Sequence, residues 1–461
     1  MKRILSVVLC LVFALSLCAM AAGCKSTQEN TPSEGGEFAD RIPGGVADVG
    51  VEVLEALTNS GEVSSYVFTS SDTFYGGSLG GLNNASFQRY FEEVYGGTLS
   101  LNNIEWEGWE SKFIADFAAN EAPDLIYGMA KLWPKIANRG MVLTRQELVD
   151  QGVLGLDHPL LEEGRETADD NFTYKNQPFS VALLGSSCFW CVVNEDLYKQ
   201  YNVKSPSQYY EEGLWSFDTL AESSTKLITA AGLGDSGVRE IFGYYCWDST
   251  VLVRANGQQL IGIDKKTGNI TNNLEKPEVM SCLELLRTAF QDGWATKNNT
   301  FARGKVGIIA AADGNIDEEV MDASFEWSII PYPKGNNNQN GQIPGSCNAW
   351  MVTSSSDNPQ GAINLVIAYI AAYNDTTFNP PSDDPALLEN ILKDRPETRQ
   401  MMKDNVAKGV NDNMYGVGSL WSAQWDFWNA VRHGKQTVSE TVQTYKSMFD
   451  AQIEAELEYA E

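Results

Sequence analysis

From Ser64 to Tyr127 short apolar runs alternate with amphipathic ones, and this rhythm restricts the architecture more than any other feature of the chain. "SSYVFTSS" (64–71) reads as a strand, "NASFQRYFEEVYGG" (84–97) as a helix closed by glycines, and "TLSLNNI" (98–104) as a second strand. Phe113, Ile114, Phe117 and Ala118 then share one helical face, the pattern breaks at Asn120–Pro123, and a third strand follows at Asp124–Tyr127. Such alternation predicts an α/β fold, a parallel sheet covered by helices, with ligands beyond the carboxyl ends of its strands. The loops Thr69–Tyr75 and Tyr127–Trp133 are the ones to watch.

The rhythm persists downstream. "FSVALLG" and "CFWCVVNEDLYKQY" read as strand running into turn and helix, and Ser216 is placed to cap a helix whose apolar face is Phe217, Leu220, Ala221, Leu227 and Ile228. "FARGKVGIIAAADGN" (301–315) is expected to pass from a basic loop into an apolar strand ending in a polar turn. "QGAINLVIAYIAAY" reads as a helix capped near Asn358 with Pro359 at its first position. "NPPSDDPALLEN" (379–390) is a proline-rich connection, and at 461 residues the chain has room for two or more domains.

Ahead of this lies a different kind of segment. Lys2 and Arg3 precede a nearly all-apolar run, Ile4–Ala22, which reads as a cleaved export signal over 1–23. A spanning helix fits less well, because small residues crowd the end and no basic stop-transfer cluster follows. Ala19-Met20-Ala21 suits ordinary processing, whereas Ala21-Ala22-Gly23-Cys24 resembles the lipobox of bacterial lipoproteins, with Cys24 as the lipidation site and Ala21 where leucine is common. Lys25 to about Gly45 is too poor in apolar surface to offset its ordering entropy, so a flexible lipid-anchored tether is expected over 24–62.

Charge narrows the partners. Removing Lys2 and Arg3 from the 33 basic residues leaves 31 against 61 acidic ones, a net −30 after cleavage. Nucleic acid and anionic lipid are poor partners for such a surface, so contact with the membrane is expected through the lipid anchor alone. Past Cys24 the cysteines are Cys188, Cys191, Cys246, Cys282 and Cys347. Cys188 and Cys191, three apart in a strand, point to opposite faces and read as buried, inert thiols rather than a redox pair. His158 and His433 form no ligand-spaced cluster with the cysteines, so no metal or other cofactor is expected.

Four stretches in order, "ANEAPDLIYG", "VVNEDLYKQYNVKSPSQYYEEGLWSFDTLAESSTKLI", "FARGKVGI" and "WSIIPYPKG", resemble landmarks of the family 1 extracellular solute-binding proteins, the maltose-binding-like receptors of ABC importers. The resemblance runs from about Ser64 to the C-terminus, with Trp215-Ser216-Phe217 replacing a Trp-x-Trp and no landmark in 379–409. It implies a two-lobe periplasmic-binding-protein-like fold with a hinge and an interlobe ligand cleft. Lobes are expected at 63–182 with 304–342 and at 183–303 with 343–461, the chain crossing near Val181–Gly185, Phe301–Gly304 and Gln342–Ser346. It further implies a monomer that captures a carbohydrate and passes it to ABC transporter permease subunits, with no catalytic residues.

The resemblance also implies where the ligand sits. "GYYCWD" (243–248) is similar to a segment that carries stacking aromatics, which selects Tyr244, Tyr245 and Trp247, although a strand sends neighbours to opposite faces and core packing competes for them. Trp421, Trp425 and Trp428 share a helical face more typical of core, with Trp421 the first choice for the cleft. Asp72, Phe74 and Tyr75 follow the first strand, Lys131 and Trp133 follow the third, and Ser187 stands in the fourth. Asp313, at the end of the "GIIAAADG" strand, is also selected, at a position where some relatives carry a tryptophan. Two other classes compete: a secreted carbohydrate-active hydrolase, for which no nucleophile elbow or zinc motif appears, and a binding-only receptor for a non-sugar solute.

Overall fold

The computed structural model describes residues 38, 40–45, 50–68, 85–104, 108–128, 130–376, 378, 387–406 and 408–458. The export segment, Cys24, Asp72, Phe74 and Tyr75 lie outside them. The chain divides into two units, Met1–Asp40 and Arg41–Glu461, and the second carries the fold. Regular structure lies within the span expected as tether: Val51–Leu57 is a helix with Leu57 fully buried, and the Asn364 amide donates to the Ala56 carbonyl at 2.8 Å. The apolar positions of "VEVLEAL" explain the difference, because they give this short helix a face to bury.

Ten strands build the sheet: β1 (Gly61–Phe68), β2 (Gly97–Ile104), β3 (Leu125–Gly128), β4 (Ala182–Asn194), β5 (Phe242–Cys246), β6 (Ala295–Thr296), β7 (Val306–Ala312), β8 (Trp327–Pro331), β9 (Ile343–Val352) and β10 (Gly409–Val410). Their order is β6-β5-β7-β4-β9-β3-β1-β2, with β8 also pairing with β4 and β10 with β9. Two long strands join the halves. The first half of β4 pairs with β9, from Ala182↔Trp350 to Cys188↔Gly345, and its second half pairs with β7 and β8. A Cβ on Gly345 would stand 2.2 Å from the Ser187 carbonyl oxygen, so this pair can close only around glycine.

Of the three expected crossings, Val181–Gly185 and Gln342–Ser346 fall at β4 and β9. Phe301–Gly304 does not cross. It turns inside the second half-sheet, with Phe301 fully buried beside Trp190, because the β7 strand that follows pairs with β5 and with the second half of β4. Residues 306–331 thus belong with β4–β6, and the helix Pro359–Tyr373 packs on the first half-sheet, where Trp350 meets Tyr369 edge-on at 5.4 Å. Both corrections move the lobe boundaries away from those expected.

The period-two alternation of β4 divides the second lobe into two cores. Phe189, Cys191 and Val193 enter one, with Tyr244, Phe427 and Trp428; Cys188, Trp190 and Val192 enter the other, with Ile309 and Ile316. Local signals place the covering helices. Ser216 caps Phe217–Ala231, and Asn358 caps Pro359–Tyr373 with Pro359 at its first position. No helix among the described residues is long and apolar enough to cross a membrane.

One buried cation ties the second lobe to the crossing strands. Arg254, 4% exposed, donates to the carbonyls of Gly345 in β9 (2.7 Å) and Val410 in β10 (3.1 Å), and pairs with Asp248 at 2.9 Å. Removing one partner of a buried pair strands the other charge, so Arg254→Met should cost about 3–5 kcal/mol in chemical denaturation. Adding Asp248→Asn should recover part of that loss.

Candidate functional site

Strand directions locate the site. β1, β2 and β3 are parallel to one another, and β3 and β4 are both antiparallel to β9, so β1–β3 run the same way as β4, toward the second lobe. β5, β6 and β7 are parallel to one another, and β7 is antiparallel to β4, so these three run back toward the first lobe. The carboxyl ends of both sets therefore face the same gap. β3 ends level with Leu183 (Gly128↔Ala349↔Leu183) and β7 ends level with Phe189 (Ala312↔Phe189). The gap thus spans six residues of β4, about 20 Å at 3.3 Å per residue.

On the second-lobe side of the gap lies a cavity of about 780 Å³, within the range of small-molecule sites. Trp247 and Tyr245 line it, with Asp313 and other residues of the helix Asp313–Val320. Trp247 comes straight after β5, remains 38% exposed, and leans on Phe189 with ring centroids 6.0 Å apart. Arg432 donates to the Trp247 carbonyl and the Ser249 hydroxyl, which holds this corner in place. Tyr245 is half-buried against the core of Trp190.

Asp313 comes straight after β7, where a helix begins rather than the expected turn. Its carboxylate accepts the Cys188 backbone N–H at 3.0 Å and the Trp190 indole N–H, both from β4. Burial raises its pKa from 3.8 to about 6, against the pull of these two donors. Asp313 thus fastens the cavity wall to the crossing strand as well as lining the cavity.

The remaining expected residues are placed elsewhere. Tyr244 is 3% exposed, with its hydroxyl 2.6 Å from that of Tyr332 in the core, so the alternation that exposes Tyr245 buries its neighbour. Ser187 is half-buried in the crossing pair, its Oγ 2.9 Å from that of Ser346. Lys131 is half-buried and pairs with Glu110 at 3.4 Å. Trp133 is 4% exposed, packed edge-on against Phe172 and Phe179, and borders a separate cavity of about 680 Å³ with Thr167, Gln259 and Gln342. Trp421 stacks on Tyr415 at 3.8 Å and meets Trp425 edge-on, away from the 780 Å³ cavity. Trp428 is core, whereas Trp425 is exposed.

Several cavity residues were not anticipated. Asp317, Glu318 and Glu319 come from the helix after β7, and Leu387–Glu389 from the segment in which no landmark was found. For the three helix acids the one signal is the run "DGNIDEEV", which looks like an ordinary solvated face. No group of three or more His, Cys, Asp or Glu among the described residues is placed to hold a metal ion.

Two α/β lobes, two crossing strands and an aromatic-lined cavity at the carboxyl ends of the second-lobe strands define a two-lobed solute-binding protein. The chain belongs to the bacterial extracellular solute-binding protein family, whose model matches residues 80–372. Among solved structures it resembles the cyclic α-maltosyl-1,6-maltose binding protein from Arthrobacter globiformis (14% identity, 85% of this chain and 98% of that one, TM-score 0.62). It also resembles the sugar-binding protein MalE from Xanthomonas citri (12%, 86% and 98%, 0.62). A third similar structure is UgpB from Mycobacterium tuberculosis in complex with glycerophosphocholine (15%, 85% and 98%, 0.56). Among curated proteins no sequence match is found.

The position of Asp313 has a pH signature. Its folded pKa lies above the unfolded value, so the folded state holds this proton more tightly. Its contribution to stability is greatest below about pH 4 and is lost as the pH rises through about 6, a change of roughly 2–3 kcal/mol at about 1.4 kcal/mol per pKa unit. Denaturation of Asp313→Asn across pH 4–7 should lack that slope.

Proposed function

We propose that this protein captures an oligosaccharide between its lobes by hinge closure and delivers it to the permease subunits of an ABC importer, without altering it chemically. The observation that carries the reading is Trp247, an exposed ring at the carboxyl end of β5, beside a 780 Å³ cavity on the second-lobe side of the gap that the two sets of strand ends face. Concave sites that pair aromatic faces with a few polar groups suit pyranose rings. Family membership and the sugar-binding neighbours from Arthrobacter and Xanthomonas support the same reading. Tyr245 and Asp313 would contact the ligand with Trp247, and residues after β1 and β3, Asp72, Phe74, Tyr75 and Lys131 among them, would meet it from the first lobe. A diacylated Cys24 would hold the mature chain, as a monomer, on the outer face of the cell membrane.

A glycan screen by thermal shift tests the capture. Ligand at a hundredfold excess over Kd should add about 2.7 kcal/mol of stability, scattering should show compaction, and no product should form. A shift with peptides or phosphate esters and none with any glycan would overturn the sugar assignment. Intact mass of the membrane-extracted protein should show a lipidated chain starting at Cys24, and Cys24→Ala should release it from membranes.

Two substitutions separate wall from core. Trp247→Ala should raise Kd about tenfold, one decade being about 1.4 kcal/mol, with little change in the apo melting temperature. Tyr244→Ala should instead destabilise the apo protein by roughly 3–5 kcal/mol, the range for large buried aromatics. Equal stability losses for both would place Trp247 in the core.

A further inference from the structure

The buried clamp on the crossing strands sets two acids about one positive charge. Arg254 commits its Nε to Thr250 Oγ1 at 3.2 Å, its Nη1 to the carbonyls of Gly345 and Val410, and its Nη2 to Asp248. The second acid, Asp412, stands just past β10 and opens the 3-10 turn Asn413–Gly416. It is 2% exposed; its Oδ1 accepts the Met414 N–H at 3.0 Å, and its Oδ2 has no hydrogen-bond partner. No ion pair among the described residues reaches Asp412. The neighbouring Thr250 hydroxyl donates to Asp248 Oδ1 instead, at 2.8 Å.

A carboxylate buried with a single N–H donor is costly, whereas the neutral acid needs no counter-charge. Burial pushes the Asp412 carboxyl above the ordinary carboxylate range, and the Asp248 charge adds to this against the pull of Arg254. The other titratable groups around the guanidinium are Cys188 on β4 and Cys246 on β5, whose thiols burial keeps neutral, and Tyr415 on the same turn as Asp412. None of them supplies a second positive charge. Loss of the Asp412 proton to solvent would leave two carboxylates competing for one guanidinium. A bond from Arg254 to a carboxylate is stronger than one to a neutral carbonyl, so the guanidinium would be drawn off Gly345 and Val410. Asp248 directly follows Trp247, so the cavity corner shares this cluster.

We propose that Asp412 is held as a neutral acid in the folded protein and acts as a proton switch for the clamp: protonated, it leaves Arg254 on β9 and β10, and ionised, it loosens that grip. The switch belongs to the crossing strands and does not depend on what the cavity beside Trp247 holds.

The test uses ligand-free protein carrying Asp313→Asn, which removes the pH slope of that residue. Asp412 binds its proton more tightly folded than unfolded, so its contribution to stability is full below about pH 4 and is lost as the pH rises through the folded value. Within that window the unfolding constant from urea denaturation should climb about tenfold per pH unit relative to the same protein with Asp412→Asn. Asp412→Ser keeps an oxygen for the Met414 N–H without an ionisable group, and it should show the same flat profile as Asp412→Asn. Hydrogen-exchange protection of the β9 and β10 amides, corrected for intrinsic rates, should fall between about pH 4 and 9 only where Asp412 is present. Denaturation profiles that run parallel with and without Asp412 would overturn the neutral acid. A pH slope in denaturation with no loss of protection in β9 and β10 would overturn the switch.

Discussion

The structure depends on the pairing of β4 with β9, the two strands that belong to both half-sheets. Each backbone hydrogen bond between them also holds one lobe to the other. Close approach and buried polar contacts reinforce the pairing: Gly345 lets β9 sit against the Ser187 carbonyl, and Arg254 clamps the carbonyls of Gly345 and Val410 from the second lobe. A buried guanidinium is costly to desolvate, but with Asp248 and those carbonyls around it the cost is offset, and the geometry it enforces is specific.

The same pair explains why the cavity-lining groups gather where they do. Because β1–β3 run with β4 and β5–β7 run against it, the loops that leave both sets open onto one gap, and any side chain just past a strand end is delivered there without further design. Trp247 and Asp313 are the clearest cases. The hydrogen bonds from Cys188 and Trp190 to Asp313 then make the cavity wall and the crossing strand one mechanical unit. A hinge movement that displaced β4 would move the cavity wall with it.

Local chemistry was legible in the sequence wherever the cause was local. The alternating rhythm, the Ser216 and Asn358 caps, and the opposite facing of Cys188 and Cys191 all depend on neighbours a few residues away. The alternation in "GYYCWD" foretold that neighbouring aromatics would part company, but which one met the cavity was set by the distant sheet partner, β7. The supposed crossing at Phe301–Gly304 failed for the same reason: nothing within that stretch tells that the next strand pairs with the second half of β4. The acidic wall was the least readable part, since "DEE" on a helix normally faces water, and Glu389 reaches the cavity from a stretch that carries no family landmark.

The buried cysteines bear on how this protein can be put to use. Four of the five described thiols are buried, Cys246 is half-buried, and desolvation lifts the pKa of each well above that of a free thiol, with Cys246 and Cys282 at about 12. Alkylating reagents attack thiolates, so these sites stay silent at neutral pH. A single cysteine introduced at an exposed rim position such as Asn315 would then be the one reactive sulfur in a chain beginning after Cys24. A fluorophore attached there would report ligand entry optically, turning the receptor into a reagentless sensor with all five of these native thiols left in place.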